Sequence, residues 1–232
     1  MEVITQEILD QYFDRIYIIS FVKNYSDRER IVNELNNLGI TKFEFIYTYD
    51  ISENVIKFPH NLSAKHFSVS FTHYNLLKTC KELGLNRILV FEDDVHFLID
   101  KQVFINNVLD GINQDLDIIL YDYMRCNGDN MSYAYLLQSG YAVNQKGMEF
   151  YIKNFENSQY IIDNYLYFYV NTTELFADCI FTSNFEEGYY QLEKSTLDTK
   201  VGIVPVRLCY QPQFVQSHIW YGEYDIPMEL YQ

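Results

Sequence analysis

Apolar and polar residues alternate along the chain in blocks that predict strands and helices in turn. Unbroken apolar runs suit strands buried on both faces, whereas recurrence every three or four residues suits helices. The predicted strands cover residues 16–21, 43–47, 87–91 and 117–121. The predicted helices cover residues 26–38, 70–83, 101–113 and 145–155. Strands that alternate with helices predict an α/β fold with an open, mostly parallel sheet in one Rossmann-like domain.

Local signals predict where several of these elements begin and end. Ser26-Asp27-Arg28-Glu29 is a capping box and predicts the start of a helix, while Gly39 and Gly84 predict helix ends. The polar segment 50–65 predicts a loop. A Gly/Asn/Asp-rich stretch at 126–130 predicts a turn, followed by a strand at 134–137.

Composition and charge exclude several functional classes. The chain of 232 residues is 48% hydrophobic and 17% aromatic, which excludes general disorder. Its net charge of −15 argues against a nucleic-acid partner and against attachment to anionic lipid. The four cysteines match no zinc or redox spacing, so we expect reduced core thiols.

The sequence shows neither a basic, apolar signal peptide nor an apolar run of roughly 20 residues that could span a membrane. We therefore expect a cytoplasmic protein without an integral membrane segment, in the host cytoplasm if the source is viral.

Three acids close the third predicted strand. Glu92, Asp93 and Asp94 directly follow the apolar run at 87–91. The carboxyl ends of strands are where open α/β sheets bind ligands, and carboxylates there suit Mg²⁺ or Mn²⁺ holding phosphate oxygens. If the strand stays regular, Glu92 and Asp94 lie on one side and Asp93 on the other. The alternative is a solvated acidic turn, with His96 either a ligand or a solvent-facing residue.

The segment from Ser70 to Val95 resembles the signature region of glycosyltransferase family 25, the lipo-oligosaccharide and collagen-type galactosyl- and glucosyltransferases. The shared pattern is Thr72-His73 opening a helix, Gly84 ending it, an apolar strand, and Glu92-Asp93-Asp94. Further segments resemble the family in the same order: 16–28, 45–50, 140–148 and 205–211.

The resemblance implies a GT-A fold, with a nucleotide-sugar half over about 14–125 and an acceptor half over about 126–220. It also implies an inverting transferase that uses UDP-galactose or UDP-glucose with Mn²⁺ or Mg²⁺, as in lipopolysaccharide biosynthesis. We expect a glycan or glycoprotein acceptor, and a homodimer is compatible with this interpretation. A cation would also offset the repulsion between the negatively charged diphosphate and a chain whose net charge is −15.

By the same resemblance, Asp94 is the direct metal ligand, and Glu92 or Asp93 holds the ribose, the metal or a metal-bound water. His218 is either a late metal ligand or a surface histidine. Thr72 and His73 are expected at the donor site. For Thr72 the alternative is a helix cap, and for His73 a satisfied core histidine.

The first strand and the loop after it are predicted to line the uridine pocket, because α/β nucleotide sites use the first βα turn. Ser20 and Phe21 belong to this segment, and Phe21 or Tyr25 either stacks on uracil or joins the core. Arg28 either approaches the uridine or diphosphate or is a solvated cation.

An inverting transfer needs a base for the acceptor hydroxyl. Asp178 is the first candidate by its place relative to Pro205, and Asp163 is the second; either could instead be a helix N-cap.

Two other functions compete with a glycosyltransferase. One is a catalytically inactive GT-A-like binding or scaffold protein. The other is a sugar nucleotidyltransferase, which the lack of glycine at 21–25 disfavours.

Overall fold

A computed structural model describes residues 5–48, 64–97, 101–113, 116–121, 124–128, 131–135, 140–158, 190–192, 201–203 and 208–209. Its main feature is a seven-stranded sheet with strand order β2-β1-β3-β8-β5-β10-β9. These strands are β1 (Arg15–Phe21), β2 (Glu44–Thr48), β3 (Arg87–Glu92), β5 (Ile118–Leu120), β8 (Gly140–Asn144), β9 (Tyr190–Leu192) and β10 (Val201–Ile203). Strands β8 and β9 run antiparallel to their neighbours. The predicted open, mostly parallel α/β sheet is therefore confirmed.

Helices cover both faces of this sheet. The five helices of the described ranges are α1 (Thr5–Leu9), α2 (Tyr25–Asn37), α3 (Ala64–Glu82), α4 (Lys101–Asn113) and α5 (Gln145–Ser158). Helices α3 and α5 pack on the face that carries Ile88 and Val90, whereas α1, α2 and α4 pack on the face that carries Leu89 and Phe91. The alternation of side chains along β3 thus feeds two separate hydrophobic layers.

The helix ends agree with the sequence only in part. Gly39 and Gly84 have φ angles of +78° and +72°, which favours glycine, and both close helices as predicted. The capping-box prediction is wrong, because α2 begins at Tyr25 and Asn24 is its N-cap without a side-chain cap bond. Helix α3 begins at Ala64, inside the predicted loop; residues 50–63 of that loop lie outside the described residues.

The second half contains a strand that periodicity did not predict. Strand β8 lies between β3 and β5 and pairs Tyr141 with Val90 and with Leu120. Residues 126–128 of the predicted turn belong instead to β6 (Met124–Gly128), which pairs antiparallel with β7 (Met131–Tyr135), and residues 129–130 lie outside the described residues. Two further short strands, β4 (His96–Phe97) and β11 (Leu208–Cys209), pair antiparallel beside the main sheet.

The parallel strands β1, β2 and β3 all end at one edge of the sheet. This carboxyl edge carries Ser20, Phe21, Thr48 and the Glu92-Asp93-Asp94 turn.

Cys80 is a free, buried thiol, which agrees with the expectation of reduced thiols in the core. Within the described ranges, no helix combines the length and apolar character needed to cross a membrane.

Candidate active site

The acidic turn at the carboxyl edge is built from the last residue of β3 and the two residues after it. Glu92 ends β3, and the Asp93 N–H continues the pairing by donating to Ile19 O at 2.9 Å. The chain then turns, with Val95 N–H donating to Glu92 O at 3.4 Å, and enters β4. The alternation of side chains between the two faces of the sheet therefore ends at Glu92. The side chain of Asp94 is positioned by a turn and not by a strand.

Burial makes these three carboxyl groups difficult to ionise. Desolvation raises the pKa of Glu92 to about 8, and the nearby Asp93 charge adds to this. Desolvation also raises the pKa of Asp94 to about 7, with a further contribution from Glu92. The pKa of Asp93 rises to about 6, because burial outweighs the hydrogen bonds from Ser20 and Asn24. The structure thus concentrates acids where negative charge is disfavoured, which is the pattern expected of a functional site.

Two oxygens of this turn lack a hydrogen-bond partner. Asp93 Oδ2 and Asp94 Oδ1 are both buried and unbonded within the described residues. Buried carboxylate oxygens are costly unless a cation or donor meets them, so the donor set fits a hard divalent cation. No three acidic, histidine or cysteine side chains in the described part of the chain converge as a metal site by themselves. The turn therefore offers part of a coordination sphere.

His73 lies behind Glu92 rather than at the surface of the site. Its side chain is 0% exposed, Nε2 lies 2.9 Å from Glu92 Oε1, and Nδ1 lies 2.9 Å from the Tyr141 hydroxyl. The histidine therefore connects α3, β3 and β8 in one buried chain of hydrogen bonds. It is a satisfied core residue and at the same time a direct partner of the acidic strand end.

Thr72, the neighbour of His73, fastens α3 to the end of β2. The Thr48 hydroxyl donates to Thr72 Oγ1 at 3.0 Å, and Thr72 Oγ1 donates to Ser68 O at 2.8 Å. The prediction that Thr72 and His73 open a helix is wrong, because they lie about two turns inside α3, and so Thr72 is not a cap.

Arg28 organises the loop after β1. Its guanidinium donates to Ser20 Oγ at 3.1 Å, to Phe21 O at 2.6 Å and to Val22 O at 3.0 Å. It also lies 4.6 Å from the ring centroid of Tyr25 and 5.4 Å from that of Tyr47. Arg28 is therefore not a solvated cation. Tyr25 is 72% exposed and so is not a core residue.

Two site residues were missed by sequence reasoning. Lys65, in the first turn of α3, places Nζ 5.4 Å from the ring centroid of Phe21, and its charge favours ionised Glu92 and Asp94. Arg30, on α2, donates to the backbone carbonyls of Asp93 at 2.5 Å and Val95 at 2.7 Å. No periodicity signal identifies either contact, because each joins segments far apart in the sequence.

Three of the predicted site residues, Asp163, Asp178 and His218, lie outside the described residues, so their roles stay predictions. The structure brings the other eight together at the carboxyl edge or directly behind it: Ser20, Phe21, Arg28, Thr72, His73, Glu92, Asp93 and Asp94.

Solved structures similar to this chain, at low similarity, include a glycosyltransferase and two enzymes that form nucleotide sugars. One is a glycosyltransferase involved in the glycosylation of the major capsid of PBCV-1, with 16% identity over 69% of each chain and a TM-score of 0.34. Another is a putative glucose-1-phosphate thymidylyltransferase from Bacillus anthracis in complex with a sucrose, with 16% identity, a TM-score of 0.33, and coverage of 68% of this chain and 65% of that one. A UDP-glucose pyrophosphorylase from Leishmania major shares 8% identity over 66% of this chain and 45% of its own, with a TM-score of 0.29.

The family assignment depends on sequence. No curated protein matches the chain at a significant level. The sequence profile of glycosyltransferase family 25 (LPS biosynthesis protein) matches residues 13–136, more than half of the chain, and this range contains every described site residue. The match confirms the resemblance carried by Thr72-His73 and Glu92-Asp93-Asp94: the chain belongs to glycosyltransferase family 25.

Proposed function

We propose that the protein is an inverting, metal-dependent glycosyltransferase that moves galactose or glucose from a UDP-sugar to a hydroxyl of a glycan or a protein. The observation that carries this proposal is the pair of buried oxygens, Asp93 Oδ2 and Asp94 Oδ1, at the carboxyl end of β3, which have no hydrogen-bond partner in the part of the chain that the structure describes. A divalent cation there would offset the cost of their burial. It would also hold a diphosphate beside a chain whose net charge is −15.

The chain's own residues would hold the donor as follows. Asp94 would bind Mn²⁺ or Mg²⁺ directly, and Glu92 or Asp93 would hold the ribose, the metal or a metal-bound water. When bound, such a cation stabilises negative charge on the departing diphosphate. The exposed ring of Tyr25, or that of Phe21, would stack on uracil at the loop that Arg28 keeps ordered.

The second half would supply a late ligand and a base. Strand β11 pairs Cys209 with His96 and runs antiparallel to β4, so its carboxyl end points back towards Asp94. By the family resemblance, His218, which lies outside the described residues, would be a further metal ligand. Asp178, or Asp163 as the second candidate, would take the proton from the acceptor hydroxyl as its oxygen attacks the anomeric carbon and UDP departs.

UDP release tests the proposal directly. The protein is incubated with UDP-galactose or UDP-glucose, an acceptor glycan, and either Mn²⁺ or EDTA. We expect UDP release and glycan extension only with Mn²⁺, with loss of both in Asp94→Asn. The matched control is Asp10→Asn, which removes an acid that pairs with Lys42 on the protein surface. Inversion is checked by the anomeric configuration of the product in NMR spectra.

Each competing function gives a different result. Donor binding without any turnover would identify an inactive binding protein. Formation of an NDP-sugar from a nucleoside triphosphate and a sugar 1-phosphate would identify a nucleotidyltransferase. UDP affinity unchanged by EDTA and by Asp94→Asn in calorimetry would contradict the metal assignment.

A further inference from the structure

An ion pair on α2 forms hydrogen bonds with the backbone of the acidic turn and of the segment after it. Arg30 and Glu34 are one helical turn apart, and Arg30 Nη1 donates to Glu34 Oε1 at 2.8 Å. Their side chains are only 24% and 23% exposed, so this pair is not a solvated surface pair. Both residues also form hydrogen bonds with the segment 93–97, which lies more than sixty positions later in the sequence.

Arg30 donates to the backbone carbonyls of the residues before and after Asp94. Nη2 donates to Asp93 O at 2.5 Å, and Nη1 donates to Val95 O at 2.7 Å. One planar guanidinium therefore fixes two carbonyls that bracket Asp94, a geometry that a lysine ammonium cannot reproduce from one point. Asp94 Oδ1, in contrast, has no partner within the described residues. Its main chain is held tightly while this oxygen is left available.

Glu34 completes the arrangement on the side of β4. Its Oε2 accepts the Phe97 N–H at 3.0 Å, and its Oε1 lies 3.2 Å from His96 Nδ1. Burial opposes ionisation of Glu34, but the hydrogen bonds from His96, Phe97 and Arg30 outweigh it and lower the pKa to about 2. Glu34 is thus a lasting anion that anchors both Arg30 and the start of β4.

We infer that Arg30 is a positioning residue that fixes the Asp94 carboxylate at the carboxyl edge by binding the backbone carbonyls of the residues before and after Asp94, with Glu34 as its anchor. This inference rests on the proposed function of Asp94 in holding the cation and the diphosphate. Residues that orient a metal ligand typically change metal affinity by 10–100-fold when they are altered. Arg30 would act on Asp94 through the backbone on either side of that residue, and it need not contact either substrate.

The test compares Arg30→Lys with Arg15→Lys, which makes the same chemical change in an ion pair with Glu44 that is more than half exposed. Calorimetry measures the affinity for UDP in the presence of Mn²⁺. We expect about a tenfold or greater loss for Arg30→Lys and no change for Arg15→Lys. Asp94→Asn is measured in parallel, so that a failure of the metal assignment is recognised separately.

Amide hydrogen exchange gives a second readout that does not depend on metal. In Arg30→Lys, the Phe97 amide should exchange on the order of tenfold faster, because a lysine ammonium cannot bind Glu34 and the carbonyls of Asp93 and Val95 at the same time, while amides of β3 keep their rates. Should Arg30→Lys prove too unstable, Glu34→Gln serves: its amide has one acceptor oxygen where Glu34 uses two, one for Arg30 and one for Phe97, so the arrangement loses one of these bonds and we again expect faster exchange at Phe97.

Two outcomes would overturn the inference. One is wild-type exchange at Phe97 in both variants. The other is a UDP affinity that falls in Asp94→Asn yet stays at the wild-type value in Arg30→Lys. If Asp94→Asn also leaves UDP affinity unchanged, the proposed function has failed, and the exchange rates alone decide whether Arg30 holds the turn.

Discussion

Ionisation of single residues should dominate the pH dependence of stability. In the folded protein the pKa values of Glu92, Asp93 and Asp94 are about 8, 6 and 7, above the ordinary values of 4.5 and 3.8. Between about pH 4 and pH 8 the folded state therefore binds more protons than the unfolded state, so stability falls as the pH rises. Glu34, with its pKa lowered to about 2, does the opposite, and the stability it contributes is lost as the pH falls below about 4.5.

We therefore predict that, in EDTA, the free energy of unfolding decreases from pH 5 to pH 8. A difference of one pKa unit corresponds to about 1.4 kcal/mol, so the stability that Asp94→Asn recovers should be on the order of 1–3 kcal/mol larger at pH 8 than at pH 5. Urea unfolding at pH 5, 6.5 and 8 measures this. Addition of Mn²⁺ should flatten the decrease, because a bound cation favours the ionised carboxylates.

Stability that rises between pH 5 and pH 8 without metal would contradict the raised pKa values. The matched variant Glu34→Gln tests the opposite limb. It should weaken the loss of stability below about pH 4.5 and leave the decrease towards pH 8 in place.

At the scale of elements, the carboxyl edge depends on contacts that cross between helices and strands. His73 of α3 joins Glu92 of β3 to Tyr141 of β8, with both distances at 2.9 Å. Because β8 is antiparallel to β3, its first residues lie at the same edge as the last residues of β3. A histidine one turn away along α3 would reach neither partner.

Two substitutions of His73 separate its bonds. Glutamine places its amide near the position of Nε2 and can keep the bond to Glu92, whereas asparagine ends near Nδ1 and can keep only the bond to Tyr141. We predict that both lose about 1–3 kcal/mol of stability, because a buried group loses a partner in each. The KM for the donor should rise further in His73→Asn, by on the order of tenfold relative to His73→Gln.

Steady-state kinetics and urea unfolding together measure this difference. Tyr141→Phe is the matched control, since it removes one hydroxyl from the same hydrogen-bonded chain and leaves the bond from His73 to Glu92. Equal KM values in the two His73 variants would show that the histidine supports the core alone and does not position Glu92.

Sequence patterns located the elements whose burial follows a simple period. Strands β1 and β3 are continuous apolar runs, and α4 was predicted with its observed bounds, Lys101–Asn113. Strand β8 was missed because its sequence, GYAVN, is short and rich in small residues, and its burial is imposed by β3 and β5 on either side. The start of α2 was misplaced because Ser26 is a good cap by composition, yet the helix has already begun at Tyr25.

The acidic residues of the candidate site could be predicted from the sequence, but the residues that hold them in place could not. Glu92, Asp93 and Asp94 stand out because charge directly follows an apolar strand. Arg30 and Glu34 look like an ordinary solvated i, i+4 pair in the sequence, and only the return of the chain at 93–97 reveals their role. For His73, periodicity left a core residue and a ligand contact as alternatives, and the structure shows a core residue bonded to the acid.

At the scale of the whole molecule, the described residues would supply the donor side of the proposed reaction more completely than its acceptor side. The family match covers residues 13–136, and the acids, Arg28 and His73 all fall within it. In the proposed reaction the base would come from elsewhere, because Glu92, Asp93 and Asp94 would serve the donor. Asp178 is the first candidate and Asp163 the second, both beyond the matched range.

A base acts only in transfer, so its loss should spare donor binding and lower kcat. General-base catalysis contributes roughly 10²–10⁴-fold, and we predict that Asp178→Asn keeps its affinity for the UDP-sugar while transfer falls on the order of a hundredfold or more. Hydrolysis of the donor by water should fall less than transfer to the acceptor. Calorimetry gives the affinity, and product formation under donor saturation gives kcat.

Asp163→Asn is the competing variant, and Asp10→Asn, which alters a surface ion pair with Lys42, is the control. If Asp163→Asn is inactive while Asp178→Asn transfers sugar normally, the base has been assigned to the wrong aspartate. If both variants are active, neither is the base, and Glu187 and Asp198 become the next acids to replace. Retained donor affinity in the inactive variant is essential in each case. A fall in affinity would mean that the carboxylate contributes to donor binding, as proposed for Asp94 and its neighbours, and not to deprotonation of the acceptor.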